Sequence, residues 1–222
     1  MHLTRFEINT ARRASRSLLT SPQKLHAAVM AAFPPQPATT NQGRVLWRVD
    51  HTQHQAALFI VGPHRPDLTH LVEQAGWPTS HHTWDTRDYQ PLLDRLATGQ
   101  HWAFRLKANP TASRRKTPDA ARSQRFGHVT VAQQTAWLLT RAEQHGFTIP
   151  AGEHKEPDLA IRGREQASFT RQGRNVTLTT ALYQGHLHIT DPDALRAALT
   201  NGIGPARAYG CGLLTLAPIR HA

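Results

Sequence analysis

The order in which strand-like and helix-like segments follow one another is the strongest constraint on what this chain can fold into. Residues 3–9 largely alternate apolar and polar side chains, which is typical of a half-buried strand. Ser21-Pro22 predicts the start of a helix, because serine caps helices well and proline is tolerated in the first turn. Pro34-Pro35 predicts its end. Two strands, a short helix and a weak last strand are then predicted at 45–49, 57–61, 67–75 and 84–89.

This order, β-α-β-β-α-β, is that of the ferredoxin-like fold, and the second half of the chain predicts it again. There, a strand at 101–109 precedes an amphipathic helix at 131–145. A hairpin of strands 159–171 and 175–183 follows, turning at Gln172-Gly173. A short strand at 186–189, a helix at 192–201 and a last strand after Gly212 complete the second half.

The two halves share negligible sequence identity, so the repeat is one of architecture. We therefore predict an α+β chain of two tandem ferredoxin-like (RRM-like) domains. The first domain is expected at 1–90 and the second at 101–222, with a linker at 91–100.

The charge of the chain favours a polyanionic partner. Lys+Arg number 26 and Asp+Glu 15 in 222 residues, a net charge of +11. A protein this basic attracts nucleic acid, although an arginine-rich coding bias would produce part of the excess without any function. The single cysteine, Cys211, excludes an internal disulfide and a multi-cysteine zinc site. No apolar run has the length of a signal peptide or a membrane span, so we expect a cytoplasmic protein with no membrane partner.

One basic segment lies inside the predicted second domain. Residues 109–129 show no clear periodicity and are predicted to form a loop. A charge run is usually a solvated surface, but a long loop within a domain tends to be functional. Residues 105–125 contain one acidic residue, Asp119, and seven cations: Arg105, Lys107, Arg114, Arg115, Lys116, Arg122 and Arg125.

A glycine-rich stretch near the end of the chain, residues 202–212, is here called the glycine loop. Its glycines allow backbone N–H groups to approach an anion closely, and Arg207 adds a forked donor suited to phosphate. No Gly-Lys-Ser/Thr closes the stretch and no strand precedes it, so it is neither a P-loop nor a dinucleotide fingerprint. Without further context, a structural turn is the commoner explanation of such a loop. Its glycines are Gly202, Gly204, Gly210 and Gly212.

Several motifs in order along nearly the whole chain resemble one known family. The most specific are the stretch 104–110 (Phe-Arg-Leu-Lys-Ala-Asn-Pro) and the tail from Gly202 to Pro218. Together they are similar to the CRISPR-associated endoribonuclease of the type I-E Cascade complex, the CasE family. The individually weaker matches are Leu3-Thr4-Arg5, Ser21-Pro22 with His26, Leu46-Trp47-Arg48, Leu182-Tyr183-Gln184-Gly185 and Ile189-Thr190-Asp191-Pro192.

The resemblance implies two tandem ferredoxin-like domains and cleavage of CRISPR repeat RNA at the 3′ base of its stem-loop. In that chemistry the 2′-hydroxyl attacks the adjacent phosphate and leaves a 2′,3′-cyclic phosphate and a 5′-hydroxyl, with no metal or other cofactor. The mature crRNA stays bound, and the implied partners are this RNA and the other Cascade subunits.

His26 is the catalytic residue that the resemblance implies, because the family places its catalytic histidine at this position. An imidazole can take or give a proton near neutral pH. Family members often carry a tyrosine one helical turn earlier, where this chain has Gln23, which can hydrogen-bond but cannot act as a base. Without the resemblance, a lone helical histidine is usually a surface residue. Candidates to stabilise the phosphorane or position the RNA are Gln23, Lys24, Arg12, Arg13 and Arg16.

The RNA-binding residues are predicted from A-form geometry, in which shape and phosphate contacts dominate recognition. In the family a basic hairpin of the second domain holds the RNA stem, and a loose match here is the predicted hairpin with its flanking arginines. Solvent-facing strand arginines are the alternative explanation. The predicted set is Arg105, Lys107, Arg114, Arg115, Lys116, Arg162, Arg164, Arg171, Arg174, Gly202, Gly204, Arg207, Gly210 and Gly212.

Two other functions stay open. A subunit that binds the RNA hairpin without cutting it would be consistent with Gln23 in place of tyrosine, and a generic double-stranded nucleic-acid module would bind DNA equally well. His186 and His188 share a strand face, and His81-His82 are adjacent, but no third ligand has a recognised spacing, so no metal site is predicted.

Overall fold

The computed structural model contains two main antiparallel sheets, one from each half of the sequence. It describes residues 1–34, 43–52, 55–80, 83–115, 123–152, 155–171 and 174–219. Both sheets pack helices on one face. One apolar core lies within the first half, and a second, centred on the second half, extends to Leu46 and Val61 of the first sheet.

The first sheet has the strand order β2-β3-β1-β4, in which every neighbouring pair is antiparallel. This is the order of the ferredoxin-like fold, so the prediction for the first half is confirmed. The alternating side chains of β1 explain the layering: Phe6 and Ile8 are buried under helices, and Arg5 and Glu7 face outward. The elements are β1 His2–Ile8, α1 Arg13–Leu19, α2 Pro22–Ala31, β2 Leu46–His51, β3 Ala56–Gly62, α3 Thr69–Ala75 and β4 Trp84–Asp88.

Helix α1 was not predicted from the sequence. Its N-cap position holds Arg12, whose side chain makes no capping hydrogen bond, so the usual start signal is missing. Burial of Ser15 and Leu18 accounts for the helix, and such packing leaves little trace in a polar, arginine-rich segment.

The predicted linker contains a short helix, α4 Gln90–Asp94. Two backbone carbonyls of this connection accept hydrogen bonds from Arg196 of the second half: Leu93 O from Nε and Leu96 O from Nη2, each at 2.8 Å. The connection is therefore attached to the second half.

The second sheet repeats the topology of the first. Its order is β11-β5-β10, with β9 and the two-residue β8 pairing along different parts of β10. The tandem arrangement is thus confirmed. The elements are β5 His101–Ala108, β6 Thr111–Arg115, β7 Ser123–Gly127, α5 Val131–Gln144, β8 Phe147–Thr148, β9 Leu159–Arg171, β10 Arg174–Ile189, α6 Pro192–Asn201 and β11 Leu214–Ala217, with a 3₁₀ turn at Arg207–Tyr209.

Two expectations for this half were wrong. The segment 109–129 is not a structureless loop, since β6 and β7 pair within it as a separate two-stranded sheet. The short strand at 186–189 is not separate either, because β10 runs unbroken through Gly185. Gly185 is present because the backbone carbonyl of Asp158 lies where a Cβ would project. No helix in the described part of the chain is long and apolar enough to cross a membrane.

Candidate active site

His26 lies in the second turn of α2. The helix begins at Pro22, and the Ser21 hydroxyl caps it by accepting a hydrogen bond from the Lys24 backbone N–H at 3.4 Å. Leu25 and Val29 face the core of the first half, which leaves His26 partly exposed at the edge of the buried face. The helix therefore holds the imidazole at the boundary between core and solvent.

The ring of His26 is held by a tryptophan. The indole Nε1–H of Trp47, in β2, donates a hydrogen bond to His26 Nδ1 at 3.3 Å. Trp47 is 3% exposed, so its position is set by packing. In the sequence, Trp47 stands out only as part of the Leu46-Trp47-Arg48 motif, and no sequence signal predicted this contact.

The glycine loop packs against the other side of the same indole. Gly210 has a φ of +75°, and a Cβ there would lie 2.6 Å from Trp47 Cζ3, so a side chain cannot be accommodated. The 3₁₀ turn at Arg207–Tyr209 contacts both α2 and β2. The structure thus brings together the two features that the sequence singled out, the His26 helix and the glycine loop, with Trp47 between them.

Arg207 is folded back into the glycine loop. Its Nη2 donates to the Gly202 carbonyl at 3.0 Å, and its Nε lies 3.2 Å from where a Cβ of Gly202 would be. Burial, and next the charge of Arg44, lower the pKa of Arg207. These contacts show that the side chain stabilises the loop, whereas its contact with phosphate stays a prediction.

The cations proposed to support His26 lie on α1, α2 and the turn before α1. Arg12 Nη1 donates to the carbonyls of Val72 and Gly76 at 3.3 and 3.2 Å, which ties it to the end of α3. Lys24 Nζ donates to Ser17 Oγ at 3.0 Å, across the α1–α2 contact. Arg16 Nη1 donates to the Ala11 carbonyl at 2.8 Å, and Arg13 is exposed on α1. Gln23 precedes His26 by one helical turn and is likewise partly exposed.

Arg105 lies at the contact between the two sheets. Its Nη1 pairs with Asp50 of β2 at 2.9 Å, and Asp50 also pairs with Arg48 at 2.7 Å. Burial would raise the pKa of Asp50, but the hydrogen bonds and charges of Arg48 and Arg105 outweigh it and lower the pKa. Arg105 thus has a structural partner, and its contact with RNA stays a prediction.

The remaining predicted RNA-binding cations lie on the second half. Lys107 is 3.8 Å from Glu165, and Arg162 and Arg164 are exposed on β9. Arg171 and Arg174 are opposite each other in the backbone register of β9 and β10, next to the turn of the hairpin. Arg114 and Arg115 lie in β6, whereas Lys116 and the Gln172-Gly173 turn lie outside the described residues.

A groove of about 510 Å³ lies beside the glycine loop, between the β6–β7 pair and the β9–β10 hairpin. Phe126, 44% exposed, stands on one wall, and an exposed aromatic ring can stack on a nucleobase. This groove was not predicted from the sequence, although a phenylalanine in a basic segment is a signal that could have indicated one. Its lining includes Asn109, Phe126, Gln166, Thr179 and Tyr209.

The cysteine and the paired histidines do not form a second reactive or metal-binding site among the described residues. Burial raises the pKa of the Cys211 thiol to about 12, so the thiol stays protonated and is no nucleophile at neutral pH. His186 Nδ1 lies 2.6 Å from an Asp158 carboxylate oxygen. Among the described residues no three His, Cys, Asp or Glu side chains are grouped to hold a metal ion, and His81-His82 lie outside them.

Comparison with known proteins identifies the family. The family described as "CRISPR associated protein" matches residues 1–218. The CRISPR-associated endoribonuclease Cse3 of Thermus thermophilus is 30% identical over 98% of this chain and 100% of its own length. The CRISPR system Cascade subunit CasE of Escherichia coli is 29% identical over 78% of this chain and 94% of its own length.

Solved structures are similar to this chain over nearly its whole length. T. thermophilus Cse3 bound to an RNA representing a pre-cleavage complex has a TM-score of 0.75 at 28% identity, with 98% of each chain covered. The E. coli Cas6e crystal structure, at 24% identity and a TM-score of 0.66 over 99% of this chain and 100% of its own, shares the fold. This chain belongs to the CRISPR-associated protein family and, within it, to the CasE endoribonucleases.

Proposed function

We propose that this chain cleaves CRISPR repeat RNA at the 3′ base of its stem-loop and stays bound to the product as a Cascade subunit. Its relatives bear the names of an endoribonuclease and of a Cascade subunit, and Cse3 has been solved with a 19 nt RNA. The net charge of +11 fits a polyanionic substrate. We place the reaction in the cytoplasm.

The observation that carries this proposal is the arrangement of His26, Trp47 and the glycine loop. A half-exposed imidazole from the first half lies beside a loop from the second half whose backbone conformation suits an anion. An RNA phosphate held by the loop would therefore be close to the imidazole.

The proposed chemistry is in-line attack by a 2′-hydroxyl on the adjacent phosphate. It releases the 5′-oxygen and leaves a 2′,3′-cyclic phosphate, and it requires stabilisation of charge on the phosphate and no metal or cofactor. His26 is the proposed catalytic residue. Gln23, Lys24 and the arginines of the α1 region (Arg12, Arg13 and Arg16) are proposed to position the RNA or stabilise the phosphorane, a role worth roughly 2–4 kcal/mol for one well-placed donor.

A single 2′-deoxy substitution tests the reaction class. We expect repeat RNA with a deoxyribose immediately 5′ to the scissile phosphate to bind as tightly as all-ribose RNA but to remain uncut, because the nucleophile is missing. The measurement is single-turnover cleavage of end-labelled RNA, with affinity measured in parallel. A deoxyribose one nucleotide further upstream is the control and should be cleaved normally. Cleavage of the first substrate would exclude 2′-hydroxyl attack.

The second candidate is a subunit that binds the RNA hairpin without cutting it. Gln23 favours it, because an amide cannot act as a base where family members often have tyrosine. Under this alternative the all-ribose hairpin would shift in a gel without becoming shorter. A generic double-stranded nucleic-acid module would instead bind the DNA hairpin of the same sequence with comparable affinity.

The β9–β10 hairpin is proposed to contact the phosphates of the RNA stem through Arg162, Arg164, Arg171 and Arg174. We expect Arg174→Ala to weaken RNA binding and to lower the slope of log affinity against log salt by about 1, because one phosphate contact is lost. The measurement is a filter-binding titration across salt concentrations. Arg87→Ala, on β4 of the first sheet, is the matched control, since Arg87 pairs with Asp85 at the surface. An unchanged slope for Arg174→Ala would remove this contact from the proposal.

We also propose domain limits of 1–90 and 101–222, with 91–100 as the linker. The two separate sheets support this division, and one apolar core lies wholly within residues 1–90. The hydrogen bonds from Arg196 to Leu93 and Leu96 indicate that the linker is held against the second domain.

A further inference from the structure

We propose that Trp47 is a positioning residue for the cleavage reaction: it holds neutral His26 with the ring hydrogen on Nε2, so that His26 acts as a hydrogen-bond donor and not as the base. The inference rests on the proposed function, in which His26 acts on the RNA. It adds a residue to that function and assigns the location of one hydrogen atom.

The hydrogen bond itself locates that hydrogen. A tryptophan indole can only donate, and a neutral imidazole has one nitrogen with hydrogen and one without. Trp47 Nε1 lies 3.3 Å from His26 Nδ1, so Nδ1 is the acceptor and the ring hydrogen is on Nε2. Hydrogen on Nδ1 would bring two donors face to face at that distance.

The surroundings of Trp47 keep the indole in this orientation. Trp47 is 3% exposed, and its backbone pairs with Ile60 inside the first sheet. The backbone of Gly210 packs against the far side of the ring, where a Cβ would approach to 2.6 Å. The indole therefore cannot turn away from His26 without displacing the glycine loop.

An Nε2–H group has a defined use in this reaction. A nitrogen that already carries hydrogen cannot take the 2′ proton, but it can donate to a phosphate oxygen on which negative charge builds. As the bond from the 2′-oxygen to phosphorus forms and that to the 5′-oxygen breaks, water takes the 2′ proton and returns a proton to the 5′-oxygen. His26 keeps its hydrogen throughout, as a neutral electrophile.

The test combines NMR with cleavage by Trp47→Phe, which keeps an aromatic ring but removes the N–H. In the wild-type protein, long-range ¹H–¹⁵N spectra should show the His26 hydrogen on Nε2. Trp47→Phe should give a mixture of tautomers and cleave about 5-fold more slowly, the rate equivalent of one ordinary hydrogen bond, with unchanged RNA affinity. Trp84→Phe, a half-buried tryptophan of the same half, is the matched control and should change neither property.

His26→Gln provides a second measurement that does not depend on folding of the Trp47 variant. An amide can donate but cannot act as an acid or a base near neutral pH, so this variant should cleave clearly faster than His26→Ala. A wild-type spectrum with hydrogen on Nδ1, or His26→Gln no faster than His26→Ala, would overturn the inference. If the wild-type protein fails to cleave repeat RNA, the proposed function fails, while the spectra still test the Trp47 contact.

Discussion

Replacing His26 with alanine is expected to lower the single-turnover cleavage rate about 100-fold or more, with RNA affinity nearly unchanged. The imidazole lies at the edge of α2 beside the glycine loop, where it can act on a bound phosphate. Alanine removes the ring and keeps the helix, because alanine has a high helix propensity and His26 is not part of the buried core. Binding should persist because phosphate contacts elsewhere supply most of the affinity.

The measurement is a time course with enzyme in excess over labelled repeat RNA, so that product release does not limit the rate. His64→Ala is the control, because His64 is exposed in the loop after β3 and should be dispensable for cleavage. If His26→Ala cleaves at more than about half the wild-type rate, His26 has no part in the mechanism.

The sequence predicted the ferredoxin-like repeat because period-two and period-3.6 patterns report directly on which side chains a sheet or helix buries. The Pro22 helix and the β2–β3 hairpin are examples where pattern and boundary signals agree. Helix α1 lacks a capping side chain, and the β6–β7 pair lies in a segment of charged and small residues. Their formation depends on tertiary contacts, which local patterns do not encode.

The sequence also selected the two segments that form the candidate site but not the residue that connects them. Trp47 and Arg48 are neighbours in β2, so their side chains point to opposite faces of the first sheet. Trp47 faces the His26 helix, and Arg48 faces the second half of the protein. Within the sequence they form one short apolar-to-basic motif, and only the folded sheet shows that they have separate functions.

Arg48 forms a network of polar contacts between the two halves. Its guanidinium pairs with Asp50 and donates to the carbonyls of Arg105 and Leu213, both at 2.9 Å, and to the Thr215 hydroxyl at 2.9 Å. The planar fork of arginine suits this set of acceptors, which a lysine ammonium cannot match. The side chain is 2% exposed, so water cannot replace a lost partner.

We therefore expect Arg48→Leu to lower the free energy of unfolding by about 3–5 kcal/mol, because removing one partner of a buried ion pair leaves the other without full compensation. Asp50 would keep Arg105, and the carbonyls of Arg105 and Leu213 would each lose one donor. The measurement is urea unfolding followed by tryptophan fluorescence and circular dichroism, compared with the wild-type protein.

Arg87→Ala is the matched control for this loss. Arg87 and Asp85 are 81% and 63% exposed, and such surface pairs contribute about 0–1 kcal/mol. Arg48→Lys covers the case in which Arg48→Leu fails to fold: it keeps the charge but cannot reach every acceptor, so its stability should lie between those of the wild-type protein and Arg48→Leu. Loss of less than about 1 kcal/mol in Arg48→Leu would mean that apolar packing between the two sheets, and not this network, holds the halves together.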